Sequence, residues 1–132
     1  MRKLLKEILI QSNSSITSAL KKLSSSGLKC LVVIDKKKKY LGTITDGDIR
    51  KEILKNKDFS KKVSKVYNSN SIYLTTENFN KVRAEKLVKS KGITLIPIIN
   101  KNFDPVDCFD LYENLSKERK RDQGHLVIIM AG

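Results

Sequence analysis

The sequence predicts an α/β fold made of two similar halves, each with a small three-stranded sheet and two helices. The first observation is that residues 27–35 recur as residues 92–100, at a spacing of 65 positions. The second is that a short motif at residues 42–49 recurs in altered form at residues 107–111, at a spacing of 62 positions. Because both motifs follow an apolar strand and precede a helical stretch, we expect a tandem duplication with pseudo-twofold symmetry.

The first half is expected to open with a short strand at residues 8–10, followed by an amphipathic helix. Ser14 or Ser15 is suited to cap the start of this helix, and Gly27 to end it. Strand, hairpin turn, strand and a second helix follow. The buried face of the first helix, at i, i+3, i+4 and i+7 spacing, is predicted to comprise Ile16, Ala19, Leu20 and Leu23.

The second half is expected to open with a strand at residues 72–74, followed by a helix over residues 79–91 that Gly92 ends. The first hairpin loop, residues 35–40, is read as about three residues longer than its counterpart at residues 100–104, which explains the change in spacing from 65 to 62. In the helix over residues 79–91 the apolar residues are spread more widely around the axis; they are Phe79, Val82, Ala84, Leu87 and Val88.

The motif at residues 42–49 carries a hydroxyl and a carboxylate three positions apart, where a strand turns into a helix. A helix start offers unpaired amides and a partial positive charge to a phosphate, and Thr45 adds a hydroxyl donor. Asp48 can accept hydrogen bonds from ribose hydroxyls. In the second motif, Asp107 is read as the counterpart of Thr45 and Asp110 as that of Asp48. The sequence therefore predicts two unequal sites, one at an intact motif and one at an altered motif, with phosphate held only on the Thr45 side.

The first motif reads glycine, two apolar residues, Thr, two further residues and Asp. This signature, its duplication and the order of the helices and strands resemble the CBS domain. Two CBS domains in tandem form a Bateman module. The resemblance covers about residues 1 to 116. It implies binding of AMP, ADP, ATP or S-adenosylmethionine between the repeats. Thr45 would then hold phosphate, Asp48 ribose, and the groups beside Lys29 and Cys30, with the opening strands, the base. Asp110 would hold ribose in the second repeat.

The resemblance also implies a regulatory homodimer without catalysis of its own, formed through the helices that follow the two motifs. The alternative is a ligand-free module that only dimerises and positions a catalytic domain, since Thr45 and Asp46 are also an ordinary helix-capping pair. The interface is expected around Ile49, Ile53, Leu54, Leu111 and Leu115.

The end of the chain is an apolar run at residues 125–132 that closes with Met-Ala-Gly. It resembles the first strand and glycine-rich loop of sugar-phosphate nucleotidyltransferases. We therefore expect repeats at residues 1–62 and 63–116, followed at residues 117–132 by a linker and the first strand of a transferase domain. The alternative is a tail that either adds a strand to the sheet or is disordered.

Composition argues against several other functions. The chain has 132 residues and a net charge of +13, but lysine predominates over arginine and few aromatics are available, so nucleic-acid binding is not favoured. No apolar run is long enough to span a membrane, and Lys3, Lys6 and Glu7 interrupt the only early candidate for a signal peptide, so we expect a cytoplasmic protein. Cys30 and Cys108 lack metal-ligand spacing, so no metal is expected. No catalytic set of residues can be assembled.

Overall fold

The computed structural model describes residues 3–121 and confirms the α/β duplication. In chain order its helices are α1 (Lys3–Ile8), α2 (Ile16–Ser26), α3 (Asp46–Asn56), α4 (Lys81–Lys91) and α5 (Leu111–Arg121). Its strands are β1 (Leu9–Gln11), β2 (Cys30–Ile34), β3 (Tyr40–Thr45), β4 (Leu74–Thr75), β5 (Leu95–Ile99) and β6 (Pro105–Asp110). A 3₁₀ turn at Val63–Lys65 lies in the segment between the repeats. The predicted terminal strand at residues 125–132 lies outside the described residues.

Each repeat forms its own three-stranded sheet. In the first sheet the order is β1-β2-β3, with β1 parallel to β2 and β2 antiparallel to β3. The second sheet repeats this arrangement as β4-β5-β6. All five residues of β2 and of β5 are buried, as expected for central strands covered on both faces.

The two repeats keep a spacing of 65 throughout, so the predicted change to 62 is wrong. Cys30 pairs with Thr45 in the first sheet, and Leu95 pairs with Asp110 in the second. The hairpin loops have equal lengths, because the pair between Ile34 and Tyr40 recurs 65 positions later as the pair between Ile99 and Pro105. Asp110 is therefore the counterpart of Thr45, and Asp107 that of Gly42.

The two long helices that precede the central strands follow the sequence prediction closely. Ser15 caps α2, and Gly27 ends it in the left-handed conformation at φ 73°. Asn80 caps α4, and Gly92 ends it at φ 65°. Helix α4 begins at Lys81, two residues later than predicted. The Asn80 side chain accepts the amide of Arg83 and so fixes the start of the helix.

Both opening strands are shifted toward the C-terminus, and β4 is also one residue shorter than predicted. Ile8 ends α1 rather than starting β1, and Ile72 precedes β4. The sequence reading missed α1, which buries Leu5 and Ile8 completely. A six-residue helix shows too few turns for a periodic pattern, so its burial rather than its sequence identifies it.

The segment between the repeats covers the outer edge of β3. Asn68 and Thr43 exchange backbone hydrogen bonds of 3.2 and 2.8 Å, and Lys62 forms a bridge with Ser15. Val63 in this segment is fully buried. The segment therefore belongs structurally to the first repeat, and the domain boundary predicted at residue 62 falls within it.

One hydrophobic core joins the repeats. The larger cluster contains most buried residues of the first repeat together with Leu95, Ile99 and Cys108 of the second. A smaller cluster, around Ile96 and Phe109, lies between β5, β6 and α4. The second repeat therefore buries some apolar residues by itself, but the larger cluster is shared between the halves, as the size of the chain predicts.

The two hairpin loops contact each other. Lys39 and Asp104, which occupy equivalent positions, form an ion pair of 2.7 Å, and the amide of Tyr40 donates to the carbonyl of Phe103 at 2.7 Å. Hydrogen bonding from Lys39, aided by Asn100, holds the pKa of the Asp104 carboxyl below its usual value. This pair of loops, called the hairpin contact below, is the place where equivalent parts of the two repeats meet.

Among the helices of residues 3–121, none combines the length and the apolar character that crossing a bilayer requires.

Candidate functional site

A cavity of about 470 Å³ lies between the two repeats at the carboxyl end of β3. One wall is formed by the start of β2 and the turn from β3 into α3; a second wall is residues 68–72; the third is the end of α4 with the start of β5. The lining residues with side-chain polar or charged groups include Lys29, Thr43, Thr45, Asp46, Asp48, Asn68, Asn70, Ser71, Lys91 and Thr94.

Thr45 and Asp48 are fixed together by a capping box at the start of α3. The Thr45 hydroxyl oxygen accepts the amide of Asp48 at 3.1 Å, and the Oδ2 atom of Asp48 accepts the amide of Thr45 at 3.0 Å. The box engages only one carboxylate oxygen of Asp48, and it uses Thr45 as an acceptor. The hydroxyl hydrogen and the second oxygen are thus the groups with which this pair can bind a ligand.

Charges of both signs surround the cavity. Lys29 and Lys91 supply positive charge, whereas Asp46 and Asp48 supply negative charge. The guanidinium of Arg50, one helical turn further along α3, pairs with the Asp46 carboxylate at 3.1 Å and offsets its charge. A negatively charged group near the first turn of α3 therefore meets the helix dipole with less opposition from Asp46.

Cys30 gives the cavity an uncharged wall. Burial raises the pKa of this thiol to about 12, so it stays protonated at neutral pH. Ile72 and Ile93 line the cavity with it, one from the opening segment of the second repeat and one from the turn before β5. An apolar, planar group such as a base fits among these residues.

The equivalent turn in the second repeat is differently equipped. Asp110 caps α5, with its Oδ2 atom accepting the amide of Glu113 at 2.8 Å, as Thr45 caps α3. Glu113 is the counterpart of Asp48, so carboxylates stand at both motif positions. Asp107 takes the place of Gly42, and its Oδ1 atom accepts the amide of Cys108. The sequence reading, which paired Asp107 with Thr45 and Asp110 with Asp48, is wrong on both.

At the spacing of 65, the counterpart of the cavity wall at residues 68–72 is residues 3–7, which lie in α1. Leu5 is the counterpart of Asn70, which lines the cavity, and Leu5 is fully buried in the same cluster as Leu95 and Cys108. The helix α1 also packs against β6. The pseudo-symmetry is thus broken in this wall, which is irregular beside the cavity and helical at the equivalent place.

The structure brings together four of the five residues predicted for the site, namely Lys29, Cys30, Thr45 and Asp48. Asp110 lies elsewhere, in a groove beside Phe79 and Lys81. The wall formed by Asn68, Asn70 and Ser71 and the wall from α4 to β5 carry no recognisable motif, so the sequence reading missed them apart from the opening strand at Ile72. Within residues 3–121, no cluster of three or more His, Cys, Asp or Glu side chains is arranged to hold a metal ion.

The fold matches solved structures over nearly the whole chain. The CBS domain pair of protein MJ0100, solved with 5′-methylthioadenosine and S-adenosyl-L-methionine, aligns with a TM-score of 0.72 and 23% identity, covering 87% of this chain and 89% of that one. CBSX2, solved with AMP, aligns with a TM-score of 0.71 and 16% identity, covering 86% and 88%. The family model of the CBS domain matches residues 1–55. The chain folds as a pair of CBS domains.

Two curated relatives resemble this CBS pair in sequence. The uncharacterized protein RP505 of Rickettsia prowazekii is 34% identical over 94 residues, which are 71% of this chain and 29% of that protein. The arabinose 5-phosphate isomerase GutQ of Salmonella typhi is 28% identical over 89 residues, which are 67% of this chain and 27% of that protein. The CBS pair therefore spans less than a third of the length of these relatives.

Proposed function

We propose that this CBS pair is a regulatory module that binds one adenine nucleotide in the cavity between its repeats and adjusts an attached catalytic domain, without catalysis of its own. The observation that carries the proposal is the capping box of Thr45 and Asp48 on a cavity that the second repeat closes. Solved CBS pairs with adenosine-containing ligands support it. The candidate ligands are AMP, ADP, ATP and S-adenosylmethionine.

In this proposal each wall of the cavity binds one part of the nucleotide. The free carboxylate oxygen of Asp48 accepts hydrogen bonds from the ribose hydroxyls, and the Thr45 hydroxyl donates to phosphate beside the first turn of α3. The base lies between the protonated Cys30 thiol and the apolar groups of Ile72 and Ile93. Lys29 extends from the same strand start and supplies a positive charge near the ligand.

The same cavity has a direct connection to α5. Thr94 lines the cavity, and its carbonyl accepts the amide of Leu111, the first residue of α5, at 2.8 Å. The carbonyl of Lys29 accepts the amide of Asp46 at the start of α3 in the same way, at 3.1 Å. A ligand that touches both walls therefore biases the positions of both helices, to the extent that it binds one arrangement better than another.

For the attached domain we propose a sugar-phosphate nucleotidyltransferase that begins at the apolar run of residues 125–132, beyond the end of α5. The Met-Ala-Gly at its end supports this choice. The similarity to a protein named as an arabinose 5-phosphate isomerase supports an attached enzyme that acts on a sugar phosphate, but with different chemistry. The full-length parent, assayed for nucleotide-sugar formation with and without AMP or ATP, tests both the chemistry and the direction of regulation.

An adenine nucleotide is expected to raise the melting temperature of the chain by about 10 °C at a hundred times its dissociation constant, because binding to the folded state alone adds about 2.7 kcal/mol. AMP, ADP, ATP and S-adenosylmethionine are compared by differential scanning fluorimetry and titration calorimetry. Asp48→Ala and Thr45→Ala should each reduce this shift. A chain that gives neither heat nor a thermal shift with any of the four contradicts the proposal.

The loss of stability that follows from removing a helix cap must be distinguished from a loss of nucleotide binding. Thr45→Ala removes an N-cap and is expected to cost about 1 kcal/mol even without nucleotide. Ser15→Ala removes the cap of α2, where the Ser15 hydroxyl accepts the amide of Ser18 at 3.1 Å, away from the cavity. This matched variant should lose similar stability but keep the full nucleotide response.

The alternative function, a dimerisation module, is favoured by apolar residues exposed on the helices after the motifs. Leu54 on α3 is 75% exposed and Leu115 on α5 is 44% exposed. Ile53 and Leu111 are partly buried, so they can contribute. Ile49, named for the interface from sequence, is 1% exposed and lies in the core of its own chain, so it is removed from the predicted interface.

We expect a homodimer through this surface, and Leu54→Glu combined with Leu115→Glu should convert it to a monomer. Each fully exposed leucine that the contact buries contributes roughly 1.5 to 3 kcal/mol, and a carboxylate in its place opposes the contact. Sedimentation velocity measures whether each protein is a monomer or a dimer. Val82→Glu, which alters an exposed apolar residue of α4, is the control. A wild-type chain that is monomeric at high concentration contradicts the dimer.

A further inference from the structure

Residues 68–72 form the wall of the cavity that has no regular secondary structure. Asn68 is fixed at one end by its backbone bonds to Thr43, and Leu74 at the other end enters β4. Between these points the Asn68 side chain accepts the amide of Asn70 at 3.0 Å, which shapes the turn but does not attach it to a sheet. A wall of this kind needs another attachment if it is to keep its position in the free protein.

That attachment is a hydroxyl pair. The Tyr40 phenol oxygen lies 2.7 Å from the Ser71 hydroxyl oxygen. Ser71 lines the cavity, whereas Tyr40 is not among the residues that line it. Burial raises the pKa of the Tyr40 phenol, so it keeps its proton at neutral pH and the hydrogen bond persists there.

Tyr40 is itself held firmly. Its ring is buried in the larger core cluster, and its amide donates to the carbonyl of Phe103 in the hairpin contact. Its ring also contacts Tyr73 edge to face, with centroids 5.3 Å apart, and Tyr73 contacts Phe103 at 6.3 Å. Phe103 has a φ of 62°, a strained conformation for a residue with a side chain, which its neighbours must maintain.

We propose that Tyr40 is a positioning residue for the nucleotide site: through Ser71 it holds the irregular wall of the cavity against the hairpin contact between the repeats. The inference rests on the proposed function for its ligand, but the wall and its attachment are features of the free chain. Without the phenol hydroxyl, residues 70–72 sample more conformations, and a nucleotide must order them when it binds.

Tyr40→Phe keeps the buried ring and removes only the hydroxyl. We expect it to weaken nucleotide binding roughly fivefold, the factor that corresponds to one neutral hydrogen bond. Ser71→Ala should weaken binding at least as much, and the double variant should bind as Ser71→Ala does, because the two hydroxyls act as a unit. Tyr73→Phe, which alters a ring 40% exposed beside the same cluster, is the matched control and should bind as the wild type does.

Two measurements on the whole chain test the inference. Titration calorimetry with AMP gives the dissociation constants of the wild type and the four variants, and hydrogen exchange of the amides of residues 70–72 is followed in the free proteins. Faster exchange in Tyr40→Phe, but not in Tyr73→Phe, is expected. Unchanged exchange in Tyr40→Phe, or additive effects of the two hydroxyl deletions on binding, overturns the inference. If the wild type binds no nucleotide, the proposed function fails, and the exchange measurement still decides whether Tyr40 positions the wall.

Discussion

Gly42→Ala is expected to lower the free energy of unfolding by about 3 kcal/mol, the sum of an overpacking cost and weakened backbone hydrogen bonds. A Cβ atom on Gly42 would lie 2.2 Å from the carbonyl oxygen of Asn68 and 3.0 Å from the Tyr67 ring. The oxygen belongs to the backbone, so the clash is relieved only if the segment that covers β3 moves away. Such a movement also strains the bonds between Thr43 and Asn68, at one end of the cavity wall.

Gly47→Ala is the matched control for this substitution. A Cβ atom there meets only the Thr45 hydroxyl oxygen, at 3.6 Å, and Gly47 lies inside the first turn of α3. Alanine is therefore expected to be neutral or to stabilise the chain by about 0.5 to 1 kcal/mol. Urea unfolding followed by circular dichroism measures both variants. Equal stabilities for Gly42→Ala and Gly47→Ala would show that the covering segment adapts at no cost.

The chain is expected to bind one nucleotide, not two. In the second repeat the carboxylate of Asp110 stands at the position equivalent to Thr45, whose hydroxyl is proposed to bind phosphate in the first repeat. Two like charges about 4 Å apart repel by roughly 4 kcal/mol at an effective dielectric near 20, which is about a thousandfold in affinity. Lys117 lies 3.6 Å from Glu113, but this ion pair is solvent-exposed and offsets little. The wall differs as well, because the buried Leu5 of α1 stands at the position equivalent to Asn70.

Titration calorimetry and equilibrium dialysis with a saturating nucleotide measure this stoichiometry. Asp107→Thr should leave it at one, because Asp107 is the counterpart of Gly42 and does not occupy the phosphate position. Asp110→Thr with Glu113→Asp restores the motif chemistry and tests the charge separately from the packing of α1. A wild-type chain that saturates at two nucleotides would show that neither the carboxylates nor Leu5 close the second site.

Local chemistry made much of the fold predictable from the sequence. The helix before each central strand has a polar cap and ends at a glycine, Gly27 or Gly92, in the left-handed conformation, so α2 and α4 were identified closely. Thr45 and Asp48 form a capping box as their spacing suggests. These features depend on residues within a few positions of each other, so they can be recognised in a single sequence.

The alignment of the second motif failed for a physical reason. Matching Asp110 to Asp48 assumed that a carboxylate keeps its role, whereas aspartate is also a strong N-cap and replaced threonine in that role. The equal hairpin loops were hidden because Lys38 and Phe103, with φ of 65° and 62°, adopt the left-handed conformation without a glycine to mark it.

The remaining walls of the cavity depend on contacts between distant parts of the chain. Thr94 and Leu95 line the same cavity as Thr45 although they lie about fifty residues away in the chain, and no local sequence pattern predicts this. The same is true of Asn70, which lies in an irregular segment. Long-range packing of this kind is what a single sequence does not display.

The ion pair between Lys39 and Asp104 also determines which half associates with which. Since the two residues occupy equivalent positions near the axis that relates the repeats, two first halves packed together would bring Lys39 against Lys39. Two second halves would bring Asp104 against Asp104. Only the pairing of a first half with a second half brings opposite charges together. The attraction is modest in free energy, because the two side chains are 37% and 38% exposed. A duplicated gene product, initially free to pair like with like, thus acquires a preference for its own other half.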